Sequence, residues 1–186
     1  MKIREILSES ALILGEDELA NDIAQKTEDL NAEHKRKTNV LLSSFNNIQN
    51  EIALNYQMPE KTVEINGNKI DTSKLSPLPI KIFAVYDCNG RRLDYEYVDG
   101  IINVNGNAQK LKYGFVPSDN DIDDEFDYVE KPISKRTFTY GVAAEYCLKE
   151  GRYEESVNWE SRYRLSLEVK KDFSQKRIKA GRRWGL

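Results

Sequence analysis

The sequence is poorest in the residues that most often do chemistry. It has one histidine, His34, and two cysteines, Cys88 and Cys147, among 186 residues. His34 has no second imidazole and no neighbouring cysteine with which to build a metal site, so it reads as a surface residue. The cysteines lie far apart and lack a C-x-x-C spacing, which points to two free thiols in a reducing compartment. No motif supports a Ser-His-Asp or Cys-His pair. No glycine-rich loop of the P-loop or dinucleotide type is present. Carboxylates are plentiful, yet nothing marks one pair as an acid and a base. The residues therefore assign no catalytic centre, no metal and no cofactor, and an enzyme is not expected. Long apolar runs are also missing, so no bilayer span is expected. Glu5 and Glu9 interrupt the apolar stretch that an export signal would place after Lys2 and Arg4.

What is present is charge, unevenly placed. Charged residues make up 32% of the chain and hydrophobic ones 39%, an ordinary balance for a soluble globular protein on the polar side. Residues 174–186 contain Lys176, Arg177, Lys179, Arg182 and Arg183 and no acid, so against a whole-chain net charge of −3 the remainder carries −8. That tail, SQKRIKAGRRWGL, also holds Ile178 and Trp184. Cations beside an aromatic suit either phosphates or an acidic protein rim. Gly181 and Gly185 argue against a rigid free conformation, so the tail reads either as a frayed, solubilising terminus or as an arm that a partner orders.

Periodicity divides the rest. Residues 2–14 predict a short helix with Ile3, Ile6, Leu7, Leu12 and Ile13 as its apolar positions, closed by Gly15. A brief continuation follows through Leu19 and Ile23. A longer helix is expected from about Thr27 or Asp29 to Gln57, with Leu41, Phe45, Ile48 and Ile52 on one face. Its stretch 31–39 is polar all round, and so is expected to project into solvent or to meet a partner. Residues 132–173 predict a helical hairpin. Ser134 supplies the entry, Gly141, Ala143 and Ala144 permit close backbone approach, and Gly151 makes the break. Tyr153, Val157, Tyr163 and Leu167, widened by Trp159, are expected to form the apolar face of the second helix.

Between the helices the period changes to two. Val63 and Ile65 alternate before Asn66-Gly67; Ile80, Ile82, Ala84 and Tyr86 precede Asn89-Gly90. Leu93, Tyr95 and Tyr97 lead to Asp99-Gly100, and Ile101–Val104 lead to Asn105-Gly106. Read as hairpin turns, these dipeptides predict an antiparallel meander. The expected fold class is α+β: a helical bundle from residues 1–60 and 132–173, an inserted β segment over 61–131, and the basic arm 174–186.

One acidic stretch approaches a calcium loop. Asp119, Asp121, Asp123, Asp127 and Glu130 occupy its first, third, fifth, ninth and twelfth places. Asp124 stands where the loop turns on glycine, and a strand rather than a helix precedes it, so the stretch reads as a connector.

Two resemblances bear on function. The segment YCLKEGRYEESVNWESRY is similar to half of a tetratricopeptide unit, with Glu160 where that repeat carries an aromatic and with no second copy along the chain. On that likeness the chain would be a cytosolic interaction module offering a peptide groove. Over nearly its whole length the chain more closely resembles phage head–tail adaptors, the connector or tail-tubular proteins. The likeness rests on the order of IREILSESALILGEDELA, a β insertion, LKYGFVPSDNDIDDEFDY, YGVAAEYCLKEGRYEESVNWESRY and a basic end. It implies a virion structural protein assembled in the host cytoplasm: a dodecameric ring in the neck between portal and tail or nozzle proteins. DNA would pass through the lumen without sequence-specific binding, and the ring would have no catalytic activity. With such a partner, the tail's own cations and apolar anchors are expected to make the portal contact: Lys176, Arg177, Ile178, Lys179, Arg182, Arg183 and Trp184.

Overall fold

The computed structural model describes residues 1–27, 31–125 and 133–175, with side chains of the final helix through Glu168. The fold is α+β. In chain order the elements are α1 (Ile3–Ile13), α2 (Asp17–Gln25), α3 (Ala32–Asn55), β1 (Glu60–Asp71), β2 (Lys81–Tyr86), β3 (Arg92–Leu93), β4 (Tyr95–Val98), β5 (Ile101–Gly114), α4 (Lys135–Lys149) and α5 (Tyr153–Gln175). They form two compact units, one of Met1–Ile48 with Asp121–Leu186, the other of Gln49–Asn120.

In the helical unit, glycines end α1 and α4 in the same way. Gly15 and Gly151 both sit at φ +77°. Past the first, the Gly15 and Glu16 N–H groups donate back to Leu12 and Ala11; past the second, Gly151 and Arg152 donate to Leu148 and Cys147. This pairing satisfies the last helical carbonyls and needs a left-handed residue that glycine adopts at no steric cost. Ser134 caps α4, its hydroxyl accepting from the Thr137 N–H at 3.2 Å.

The core of this unit is built where α3, α4 and α5 meet. Phe45 and Phe138 stack at 5.7 Å between ring centroids. Gly141 is the point of closest approach: a Cβ there would lie 2.9 Å from Ile48 Cγ2 and 3.1 Å from the Tyr163 ring. Tyr163 and Leu167 are buried, whereas Tyr153 and Val157, expected on the same face, are each 66% exposed.

The polar start of α3 does not project freely. His34 Nδ1 lies 2.6 Å from Asp22 Oδ2 with only 15% of its side chain exposed, which corrects the expectation of a surface histidine. Lys37 binds Glu16 at 2.8 Å. The Arg36 guanidinium grips both oxygens of Glu150 at 2.6 and 2.8 Å. His34, Arg36 and Lys37 meet carboxylates from elsewhere in the same unit, whereas Lys35 between them is exposed.

The second unit is organised on β5. The strand order is β1-β5-β2-β3, with β4 also on β5, and every pairing is antiparallel. A meander would pair each strand with the next, so the expected meander is not the topology seen. Two of the four turn signals do make hairpins. Asp99 and Gly100 have φ +49° and +81°, the paired positive values of a tight hairpin turn joining β4 to β5. Gly90, at φ +74°, lies in the turn between β2 and β3. Asn66-Gly67 and Asn105-Gly106 instead remain inside long strands. Gly67 and Gly106 take φ +118° and +131°, and the β1–β5 register shifts on both sides of Gly67. The same dipeptide chemistry is used there for bulges, which bend a strand pair without ending it. The core beneath comprises Ile70, Val85, Ile102, Val104, Ala108, Leu111 and Tyr113.

Two outcomes follow for the helical unit. Gly141→Ala is expected to lower stability by about 1–3 kcal/mol, since Ile48 and Tyr163 must both give way; urea denaturation checks it. Arg36 holds the Glu150 carboxyl below the usual glutamate range, while its partial burial acts the other way. A depressed carboxyl contributes stability above its unfolded pKa and loses it as pH falls through the folded value. Glu150→Gln should therefore be less stable than the parent at neutral pH. The two should converge in denaturation curves taken below the glutamate range.

Candidate interaction surfaces

The residues singled out for partner binding, Lys176, Arg177, Ile178, Lys179, Arg182, Arg183 and Trp184, lie outside the described residues. Helix α5 extends to Gln175, so helical backbone reaches the first two residues of the segment read as an arm.

Of the acidic stretch, Asp127 and Glu130 also lie outside the described residues. The described part is engaged within the chain. The Asp124 carboxylate accepts from the Asp121 N–H at 2.7 Å, and the Asp124 N–H returns to the Asp121 carbonyl at 3.1 Å. Asp123 Oδ1 takes both Arg4 Nη2 and Lys26 Nζ at 2.9 Å. Those two cations, Lys26 first and then Arg4, hold its carboxyl below the usual aspartate range. The backbone beside it is docked as well, with the Ile3 N–H donating to the Asp124 carbonyl at 3.3 Å. An ion taking Asp123 would have to displace a guanidinium and an ammonium.

The only imidazole is equally committed. His34 Nδ1 is held by Asp22, and no serine, threonine or cysteine donates to its other nitrogen among the described residues. Cys147 is buried, and desolvation pushes its thiol up, away from the reactive thiolate. Cys88 is exposed beside the β2–β3 turn. A cleft of about 400 Å³ lies against α1, lined by Lys2, Arg4, Lys26 and Lys135 together with Glu5 and Glu9. Its cations are largely spent: Arg4 and Lys26 on Asp123, and Lys135 on Glu9 at 2.5 Å.

Open surface lies elsewhere. On the helical unit, Leu12, Leu148, Tyr153, Val157 and Leu165 are each more than half exposed, and Tyr153 and Val157 are one turn apart on α5. On the sheet unit, Leu78, Ile80, Tyr97, Val98 and Ile101 are exposed, and Ile80 and Tyr97 line a cleft of about 230 Å³ with Pro79, Lys81, Ile82 and Tyr95. Single exposed apolar side chains are ordinary on a protein surface, but the Tyr153–Val157 pair and the Ile80–Tyr97 cleft each bring two together and are candidate contact points.

A feature missed in the sequence joins α4 to α5. The Tyr140 and Trp159 rings stack at 5.7 Å and 27°. Arg136 lies over Tyr140, 5.6 Å from its centroid, and Arg162 lies over Trp159 at 4.7 Å. The signal was present as Arg136 four residues before Tyr140 and Trp159 three before Arg162, spacings that bring side chains together on a helix. What the spacing lacked was the pairing of the two helices.

Comparison with protein-family models finds no match to this chain, and comparison with curated proteins finds none either.

A calcium titration follows from the Asp123 geometry. Calorimetry should register no saturable heat at micromolar calcium, and a clear isotherm there would require Arg4 and Lys26 to be released from Asp123.

Proposed function

We propose that this chain is a structural assembly protein of a phage virion, a head–tail adaptor that forms a ring between portal and tail and leaves a channel for DNA. On this reading the N- and C-terminal helices make one bundle carrying the β segment as an insertion. The observation that carries it is the pair of exposed apolar surfaces, one on each unit, around Tyr153 and Val157 and around Ile80 and Tyr97. A ring closes through a heterologous contact, in which two different patches of one subunit meet across each interface. A chain with two such surfaces has what that contact needs. The commitment of His34, Asp123 and the described α1 cleft to internal pairs also favours a structural role over a catalytic one. The net charge of −8 ahead of the last thirteen residues suits a channel wall that DNA slides past.

The alternative, a cytosolic interaction module with a tetratricopeptide-like hairpin, has less support. The hairpin's inner face is filled by Phe45 and Ile48 of α3, which leaves no groove there for a peptide.

In the adaptor reading, residues 174–186 dock on the portal, with Lys176, Arg177, Lys179, Arg182 and Arg183 drawn to an acidic rim and Ile178 and Trp184 as anchors. Removing residues 174–186 should leave folding by circular dichroism unchanged and abolish co-purification with the portal protein of the same virion. Trp184→Ala alone should weaken that binding by about 2 kcal/mol. Normal portal binding by the truncated chain would refute the assignment.

A further inference from the structure

We infer that the outer surface of the α4–α5 hairpin, centred on Arg136 and Arg162, is a contact site for the phosphate backbone of nucleic acid. The inference goes beyond the adaptor reading and holds for a single chain whatever its assembly.

The described arginines of the helical unit divide into two kinds. Arg4, Arg36, Arg152 and Arg164 each grip a carboxylate: Asp123, Glu150, Glu155 and Glu160 respectively. Arg136 and Arg162 are exposed, rest on aromatic rings, and have no ion pair among the described residues. A ring face attracts the guanidinium through its π electrons but takes none of its five N–H donors. Both cations are thus held in place with their hydrogen-bonding capacity unspent, on a chain that pairs its other described helical-unit arginines internally.

The support is rigid. Tyr140 and Trp159 are half-buried and stacked on each other, so the two cations are fixed by two packed helices rather than by a loop. Fixing them before binding lowers the ordering cost that long side chains normally impose on association. The partner must be anionic, because two free guanidinium forks ask for oxygen acceptors. A nucleic-acid strand fits better than an acidic peptide. Its charged phosphates alternate with apolar sugars and bases, and each cation here is seated on an aromatic ring. Basic groups interleaved with aromatics are the pattern used to follow a nucleic-acid backbone.

The test is fluorescence anisotropy of the full-length chain with labelled single-stranded and duplex oligonucleotides over a range of salt concentrations. Binding by the parent should fall with salt. The double variant Arg136→Gln/Arg162→Gln should bind more weakly. With duplex, its slope of log affinity against log salt should be shallower by about 1.8, since each phosphate contact contributes about 0.9. Arg164→Gln, which removes an arginine already held by Glu160, should leave the slope unchanged. The basic tail is intact in every variant, so its own contribution cancels. Equal affinity and slope in the double variant and the parent would overturn the inference, as would no binding by the parent. Preferential binding of poly-glutamate, lost in the double variant, would assign the surface to an acidic protein segment and overturn it too.

Discussion

The helical unit depends on a missing side chain. Gly141 lets α4 press against Ile48 of α3 and Tyr163 of α5 at once, so closely that a Cβ would collide with Ile48 and crowd the Tyr163 ring. Because α4 sits so close, Phe138 reaches Phe45, and Tyr163 is buried rather than left at the surface. Close packing of this kind has little slack, so a side chain added at this crossing would be felt by both neighbouring helices. The stack of Tyr140 on Trp159 is a consequence, since it spans the same two helices.

Around that crossing, charge is used as a fastener. Arg36 on Glu150, Lys37 on Glu16 and His34 beside Asp22 tie the first turns of α3 to other helices of the unit. Individual pairs at partly exposed positions contribute little. Their larger effect is on specificity, since each demands a particular partner at a particular place. Asp123 with Arg4 and Lys26 does the same for the acidic stretch. Charges that could have served a ligand are in this way used up holding the fold.

Against that background the unspent groups stand out. The exposed apolar side chains of the two units and the two ring-mounted arginines are the described features without an internal purpose. They belong to different chemistries, one suited to protein contact and the other to phosphate. The proposed adaptor role would call for both.

Much of the helical architecture was legible in the sequence. Apolar spacing located α1, α2 and α3; Gly15 and Gly151 marked stops because a left-handed residue is a local requirement; and Ser134 marked a start through a bond three residues away. Such signals are short-range, and a short-range bond is readable from neighbours alone. The strands were legible as strands, but their order was not. Asn66-Gly67 and Asn105-Gly106 carry the same chemistry as the true turn at Asp99-Gly100. Whether positive φ becomes a turn or a bulge depends on the strand alongside, and β1 and β5 lie opposite each other at the two sites. The polarity of residues 34–37 was visible, whereas its meaning was not, because Asp22, Glu16 and Glu150 reach them only through folding. Composition and spacing determined which elements form and where they stop. Only the tertiary structure decided which strand β5 pairs with, which charges are consumed, and that Arg136 and Arg162 keep theirs, since each of these depends on residues far apart in the chain meeting in space.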